Sequence, residues 1–209
     1  MKRLSIKKSL ATVLAACLVI GSTMTVCAAP SSSQASASSS GAAAVVTTTP
    51  SLTINGVKTV STVKGLYAAK SVQGAVVLTP LAELKAAYGL DANQTPYLIM
   101  MDTDAKKSHL AMDSLNAAAA ALGATMGPVV NINLGAMTAG KFAPLSADGT
   151  DVAFTIGLPT NFVQADANYA VICVRQGGAV SVLYDCDTDP NTVTFNMKGG
   201  LGCYAVVKY

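Results

Sequence analysis

Apolar residues between 51 and 146 follow two different periods. Short apolar runs at 73–78 and 97–102 predict strands, and VVNINL at 129–134 alternates, which is typical of a half-exposed strand. In that run Val130, Ile132 and Leu134 point to one side. The sequence LTINGVKTV places an Asn55-Gly56 pair between two apolar runs, and this pattern predicts a β-hairpin.

Two segments of the same region have helical spacing. Thr79-Pro80 supplies an N-cap residue and a proline at the first helical position, and Gly89 can end the helix in a left-handed conformation. The apolar face of this first helix consists of Leu81, Leu84 and Tyr88. A second helix is predicted from a Ser108 cap through Leu122, with an apolar stripe of Met112, Leu115, Ala119 and Leu122.

Only strand signals follow the turn LSADGT, near 146–149. DVAFTIGLP has period two, YAVICVRQGGAVSVLYD predicts a hairpin around Gly177-Gly178, and TVTFNM and CYAVVKY supply two more strands. We therefore predict an α+β fold, mainly antiparallel and β-sandwich-like, with about two packed helices and an all-β C-terminal half. An α+β region at 51–146 and a β module at 147–209 fit either one domain or two.

Residues 1–28 have the layout of a secretory signal peptide, with a basic start, an apolar middle and the small-residue exit Val26-Cys27-Ala28. The apolar middle is shorter than the roughly 20 residues that span a bilayer, so we expect no transmembrane helix in the mature chain. The alternative is a lipoprotein anchored at Cys17, because LAAC matches a lipobox. An apolar run directly after Cys17 argues against it, since a soluble tether is expected there.

Residues 29–50 are rich in Ser, Ala and Thr and lack the large apolar side chains that could compensate for the entropy of ordering. We predict a disordered linker. Four of the 14 basic residues precede residue 29 and all 11 acidic residues follow it, which leaves the mature chain with a formal charge of about −1. The basic pI of the whole chain therefore gives no reason to expect nucleic-acid binding.

The C-terminal sequence, with FTIGLP, YAVICVRQGG and SVLYDCDTDPNTVTFNMKGGLGCYAVVKY, resembles a C-terminal β-module of secreted and surface-associated proteins from clostridia and related gut Firmicutes. In that module an amphipathic strand ending in Leu-Pro precedes a hairpin and two closing strands. The resemblance covers about the last 60 residues. It implies a β-sandwich-like accessory or structural module, and it implies no activity.

Asp185, Asp187 and Asp189 form Asp-x-Asp-x-Asp, a spacing whose carboxylates can converge on calcium. The motif is incomplete, because Pro190 stands where an EF-hand loop requires glycine and Asn196 stands where it requires glutamate. A strand-to-strand turn also favours these residue types. We therefore predict no metal site and no cofactor, and keep the three aspartates as the weak calcium candidates.

A Ser-His-Asp arrangement can be drawn from Ser108, the single histidine His109, and Asp113. Neighbouring residues at a helix start do not face each other, and a helix cap explains Ser108 more simply. Asp102 and Asp104 are a second candidate, as paired acid and base carboxylates, although a strand end followed by a turn explains them too. We predict no catalytic residue.

Three cysteines follow the signal segment: Cys173, Cys186 and Cys203. All three lie in or next to predicted strand regions, without Cys-x-x-Cys spacing, so zinc binding is not expected. One disulfide with a spare thiol is an open alternative. We favour three reduced thiols in the core, because free cysteine behaves as a small buried apolar residue.

These observations favour an exported, non-enzymatic binding or structural protein of the bacterial cell envelope or extracellular space. Its partner is expected to be a protein or an envelope component, and no nucleic acid. Two alternatives remain: a small secreted hydrolase with a site near Ser108 and His109, and a partner-docking or inhibitor domain that uses an exposed strand edge. The sequence does not predict an oligomeric state.

Overall fold

The computed structural model describes residues 47–209, so the predicted signal peptide, the lipobox at Cys17 and most of the predicted linker lie outside the described residues. The described part contains twelve strands and two α-helices. In chain order they are β1 (Ser51–Ile54), β2 (Val57–Val60), β3 (Lys64–Tyr67), β4 (Gly74–Val77), α1 (Leu81–Ala87), β5 (Thr95–Asp102), α2 (His109–Ala121), β6 (Thr125–Thr138), β7 (Lys141–Pro144), β8 (Val152–Gly157), β9 (Tyr169–Arg175), β10 (Val180–Tyr184), β11 (Thr192–Met197) and β12 (Gly200–Lys208).

A large sheet forms the centre of the fold, with the strand order β10-β9-β12-β6-β5-β3. Neighbouring strands are antiparallel except β3 and β5, which are parallel. β6 is 14 residues long, and its last part also pairs with β7. The two halves of the chain meet in this sheet, because β12 of the C-terminal half pairs with β6 of the N-terminal half.

A small sheet, β11-β8-β4, packs on one face of the large sheet. The core between them is apolar and includes the fully buried Phe154, Phe195 and Tyr204. The Phe195 ring lies 5.7 Å from Phe154 and 5.9 Å from Tyr204, between ring centroids. Such aromatic packing contributes beyond area burial alone. The sandwich is thus closed by large side chains from β8, β11 and β12.

Helix α2 covers part of the other face of the large sheet. Leu115 and Ala119 of α2 are buried against Ile172, Ala205 and other small or branched residues of β9 and β12. The predicted stripe is confirmed, since Met112 and Leu122 also pack there. Small alanine side chains on this helix allow it to approach the sheet closely. The layers are therefore helix, large sheet and small sheet.

The prediction of an α+β, mainly antiparallel β fold is confirmed. Both predicted hairpins form. Asn55 and Gly56 have φ values of 50° and 77°, as a two-residue turn with both central residues at positive φ requires. Gly177 and Gly178 have φ values of 84° and 80° between β9 and β10. β8 buries its predicted apolar face, which consists of Val152, Phe154 and Ile156.

The predicted N-cap hydrogen bonds of the two helices do not form. Pro80, not Thr79, occupies the position before α1, and the Thr79 hydroxyl instead accepts a hydrogen bond from the Ala153 backbone N–H at 2.8 Å. Ser108 precedes α2, but its side chain makes no capping hydrogen bond. The turn before it is held by Asp104, whose carboxylate accepts the backbone N–H groups of Lys106 and Lys107 at 3.0 and 3.3 Å.

Residues 47–50, at the end of the predicted linker, pair with the sheet. Thr48 exchanges two backbone hydrogen bonds with Gly65 of β3, at 2.8 and 3.0 Å between nitrogen and oxygen. The Pro50 carbonyl accepts the Ser61 N–H at 2.9 Å. Backbone pairing fixes this segment although its side chains are small, which is why composition alone placed it in the linker.

Candidate functional site

The three candidate calcium ligands lie between β10 and β11. Each carboxylate accepts the backbone N–H two residues further on: Asp185 from Asp187 at 3.1 Å, Asp187 from Asp189 at 2.8 Å, and Asp189 from Asn191 at 2.9 Å. These are three successive Asx turns. The Asp-x-Asp-x-Asp spacing is therefore explained without calcium, because each carboxylate binds the backbone N–H two residues later.

The remaining oxygens of Asp187 and Asp189 are also engaged. The second Asp187 oxygen accepts the hydroxyls of Thr192 and Thr194, and the second Asp189 oxygen accepts the Asn55 N–H. Within residues 47–209, no group of three or more metal-ligating side chains converges. A cation would have to displace protein donors from Asp187 and Asp189. What this arrangement does chemically is to hold a turn and the hairpin β1–β2 together.

Burial and hydrogen bonding shift the pKa values of two of these carboxyls in opposite directions. Burial raises the pKa of Asp185 above its ordinary value, and the backbone hydrogen bond from Thr194 only partly offsets it. Burial also acts to raise the pKa of Asp189, but hydrogen bonds from the Asn191 and Asn55 backbones and the Asn191 side chain outweigh burial and lower it. Asp189 is therefore held as a carboxylate in the fold.

The candidate catalytic residues are not brought together. His109 and Asp113 are exposed on α2, and in the described part of the chain the side chains of Ser108, His109 and Asp113 form no hydrogen bond with one another. Asp102 accepts the backbone N–H groups of Lys70 and Ser71 at 2.8 and 3.0 Å, which fixes the loop after β3. The Asp102 and Asp104 carboxylates thus both bind backbone N–H groups.

The cysteines occupy three different environments. Cys173 is buried between the sheets and Cys203 is buried under α2, on opposite faces of the large sheet. Burial raises the pKa of both thiols. The expectation that Cys186 lies in the core is wrong, because this residue follows the end of β10 and is exposed. Its thiol contacts the Tyr184 carbonyl oxygen at 3.5 Å.

A depression of about 500 Å³ lies at one end of the large sheet, beside Asn133, Leu145 and Leu201. The Asn133 Oδ1 atom is buried without a hydrogen-bond partner among the described residues. Arg175 also lines the depression, but its guanidinium donates to the carbonyls of Lys198 and Gly199 at 3.0 and 2.8 Å. Its charge therefore supports the β11–β12 turn.

The chain covers three of the four outer edges of the two main sheets with its own irregular segments. Thr48 pairs with β3 at Gly65, as described above. On β4, the Val77 N–H donates to the Ser61 hydroxyl at 3.0 Å, and its carbonyl accepts the Thr62 N–H at 3.0 Å. On β11, Thr194 donates its N–H to Asp185 at 2.9 Å. Covering of this kind prevents edge pairing with another chain.

The fourth edge, β10, is left uncovered by residues 47–209. Two hydrogen bonds flank its pairing with β9, from the Arg175 N–H to the Ala179 carbonyl and from the Asp185 N–H to the Tyr169 carbonyl. They show which residues of β10 direct their backbone groups toward β9. Antiparallel pairs alternate, so Ser181 and Leu183 direct their backbone groups to β9. Val180, Val182 and Tyr184 direct theirs outward, where no backbone group among residues 47–209 pairs with them. We call this edge, residues 180–184, the β10 edge.

On the face that carries α2, the exposed side chains of the β10 edge are apolar. Val180 is 45% exposed and Tyr184 is 60% exposed, and both lie on the face that carries α2. Val182 between them packs against the α2 layer. No charged residue and no proline occurs from 176 to 184, although such residues commonly protect natural edges. A second depression, of about 280 Å³, adjoins the end of the edge between Tyr184 and Tyr209.

Sequence reasoning named an exposed strand edge as an alternative without locating it. The signal present in the sequence is the uncharged run QGGAVSVLY, but its meaning depends on strand order. β9 pairs with β12, which lies far along the chain, and this pairing leaves β10 at the outside. A local pattern cannot reveal that placement.

Neither helix among residues 47–209 has both the length and the apolar character needed to cross a membrane. The chain matches no protein-family model, no curated protein and no solved structure.

Proposed function

We propose that this chain is an exported bacterial binding protein whose partner adds a strand to the β10 edge. The observation that carries the proposal is the contrast between edges: segments of the chain itself cover β3, β4 and β11, whereas no segment of the described part of the chain covers β10. An uncovered, uncharged edge is an aggregation hazard unless it has a use. The predicted signal peptide and linker support a use outside the cytoplasm, at or near the cell envelope.

Strand addition supplies both affinity and selectivity from the groups available here. The outward N–H and C=O groups of Val180, Val182 and Tyr184 provide main-chain hydrogen bonds to a partner strand. The Tyr184 carbonyl exchanges its weak contact with the Cys186 thiol, at 3.5 Å, for one of these bonds. The exposed side chains of Val180 and Tyr184 provide apolar contacts on the α2 face. Tyrosine suits an interface because it combines a large apolar ring with a hydroxyl that can remain hydrated.

The other clusters of polar residues stabilise the fold, which favours a binding role over a catalytic one. The carboxylates of Asp102, Asp187 and Asp189 each accept hydrogen bonds from the protein itself. His109 is exposed and apart from them in the hydrogen-bond network. A binding role therefore uses an edge whose outward backbone groups pair with no strand in residues 47–209.

A proline substitution tests the proposal. Val180→Pro removes an outward N–H at the first residue of β10, and Ala179 before it has φ −63° and ψ 124°, which a following proline tolerates. The matched control is Val60→Pro, at the end of β2, where the N–H also points away from its hairpin and the side chain is 54% exposed.

Each variant is incubated with envelopes isolated from the source bacterium, and the bound fraction is measured after sedimentation. We expect Val180→Pro to lose at least tenfold in affinity while Val60→Pro binds like the unsubstituted chain. Equal binding by both variants, with folding verified by circular dichroism, would exclude the β10 edge as the docking site.

A further inference from the structure

We infer that the strand received by the β10 edge is β10 of a second copy, so that two chains join their large sheets across a twofold axis at Val182. This inference rests on the proposed function and names its partner. Antiparallel pairing of a strand with its own copy is isologous, and an isologous contact closes at two subunits. It would use up the uncovered edges of both copies and leave none for further growth.

The backbone register favours this pairing. Val182 is the middle of the three residues whose N–H and C=O groups point outward. An axis through Val182 sets it opposite Val182 of the second copy and sets Val180 opposite Tyr184. All three positions then form hydrogen-bonded pairs, with about six backbone hydrogen bonds across the axis. An axis at Ser181 or Leu183 would instead oppose residues whose backbone groups are already bonded to β9.

The side chains are complementary in the same register. Val180 and Tyr184 lie on the same face of the strand. The dimer therefore contains two side-chain pairs, in each of which Val180 of one copy packs against Tyr184 of the other. Pairs of an aromatic and a β-branched residue stabilise antiparallel strands. The edge carries no charge, and the mature chain has a formal charge close to zero, so neither local nor long-range repulsion opposes contact between identical copies.

Other bare strand segments of the chain lack this self-complementarity. β2 carries Lys58, whose backbone points away from the hairpin, and self-pairing there would bring like charges together. β7 is four residues long and contains Lys141 and Pro144. These are the devices that natural sheets use against edge pairing. β2 and β7 carry such charged residues or proline, and β10 carries none. This difference favours β10 as the edge that pairs with its own copy.

A five-residue strand pair buries less than the roughly 1,600 Å² of a standard stable interface. We therefore expect a weak dimer, with a dissociation constant of roughly 100 µM in solution. Attachment of many copies to one envelope raises their local concentration and would favour the paired form.

Analytical ultracentrifugation of the secreted, processed chain from 5 µM to about 1 mM measures the self-association. Two double variants test the register. Val180→Lys with Tyr184→Lys sets lysine opposite lysine across the axis, whereas Val180→Lys with Tyr184→Glu sets lysine opposite glutamate. Both change only exposed side chains, so the fold should persist.

We expect the unsubstituted chain to dimerise, the Lys/Lys variant to lose at least tenfold in association, and the Lys/Glu variant to dimerise again and weaken with added salt. A Lys/Lys variant that dimerises like the unsubstituted chain would overturn the inference. So would a chain that stays monomeric at 1 mM.

Under the proposed function the envelopes carry native copies of the chain, so envelope binding reports a strand received from a copy or from a different protein. The two failures are therefore distinguishable. If the chain stays monomeric but Val180→Pro still abolishes envelope binding, the edge receives a strand from a different protein and the proposed function stands. If the chain stays monomeric and Val180→Pro binds envelopes normally, both the proposed function and this inference are wrong.

Discussion

The Asp189 carboxylate accepts a hydrogen bond from the Asn55 backbone N–H, 134 residues earlier in the chain. Asn55 is a turn residue of the hairpin β1–β2, and Asp189 belongs to the turn that follows β10. One buried carboxylate therefore ties the first hairpin of the described chain to the segment that covers the edge of β11. Asn191 uses the other oxygen of the same carboxylate, so the turn and the hairpin stabilise each other.

Removing this carboxylate should destabilise the fold. Asp189 is only 7% exposed, and Asp189→Ala would leave the N–H groups of Asn55 and Asn191 without their acceptor. We predict a loss of about 2 kcal/mol in the free energy of unfolding, measured with urea. Asp148→Ala is the control, because the Asp148 side chain is exposed and accepts no hydrogen bond; it should cost below about 0.5 kcal/mol. Equal losses for both variants would contradict this role.

The pH dependence of stability should have opposite signs at two neighbouring aspartates. The pKa of Asp189 is lowered in the fold, so its stabilisation is complete above the ordinary value of 3.8 and is lost as the pH falls through the lowered pKa. The pKa of Asp185 is raised, so its charge opposes folding above that raised pKa, and acidification relieves the cost.

Urea titrations between pH 3 and pH 6 measure this difference. The stability deficit of Asp189→Asn should shrink as the pH falls. Asp185→Asn should gain most, relative to the unsubstituted chain, at pH 6 and approach it toward pH 3. A deficit for Asp189→Asn that does not change with pH would show that the Asp189 charge contributes nothing.

Gly65 should tolerate no side chain. A Cβ atom there would overlap the Leu98 carbonyl oxygen of β5, which is backbone and cannot rotate away. We predict that Gly65→Ala lowers the free energy of unfolding by about 3 kcal/mol. Gly56→Ala is the comparison, because Gly56 has open space around it and only its φ of 77° opposes a side chain; about 1 kcal/mol is expected. A smaller loss at Gly65 than at Gly56 would contradict the close approach of β3 and β5.

Calcium should hardly change the melting temperature, because protein donors already occupy the oxygens of Asp187 and Asp189. Differential scanning fluorimetry with millimolar calcium, against a chelator control, measures the shift. A bound ion would stabilise the fold increasingly with concentration, by about 2.7 kcal/mol at a hundred times its dissociation constant. Such a shift, abolished by Asp187→Ala, would contradict the assignment of this segment as a turn.

Local signals in the sequence predicted most of the elements. The alternation of Val130, Ile132 and Leu134 is local, and so are the turn preferences of Asn55-Gly56 and the stripe through Leu115 on α2. Each depends on a few consecutive residues. The predicted cap hydrogen bond of Thr79 does not form, because the Thr79 hydroxyl accepts the Ala153 N–H of β8. No pattern near Thr79 encodes this distant partner.

The candidate site could not be predicted because it is defined by pairing between distant strands. β12 enters between β6 and β9, so residues near 130, 172 and 205 meet in one sheet. Only this order leaves β10 outside. A calcium-binding loop and a series of Asx turns share the Asp-x-Asp-x-Asp spacing. The N–H groups of Thr194 and Asn55, which bind Asp185 and Asp189, distinguish the two, and their positions depend on the fold.

Hydrogen exchange at single amides along β10 tests most directly whether this edge receives a strand. In the dilute chain the amides of Ser181 and Leu183 should be protected by β9, while those of Val180, Val182 and Tyr184 exchange rapidly. With envelopes bound, or at concentrations where the chain dimerises, we predict that these three amides become at least about threefold slower and that Lys58 and Val60 of β2 do not change. Unchanged rapid exchange at Val180, Val182 and Tyr184 in the bound state would contradict strand addition at the β10 edge.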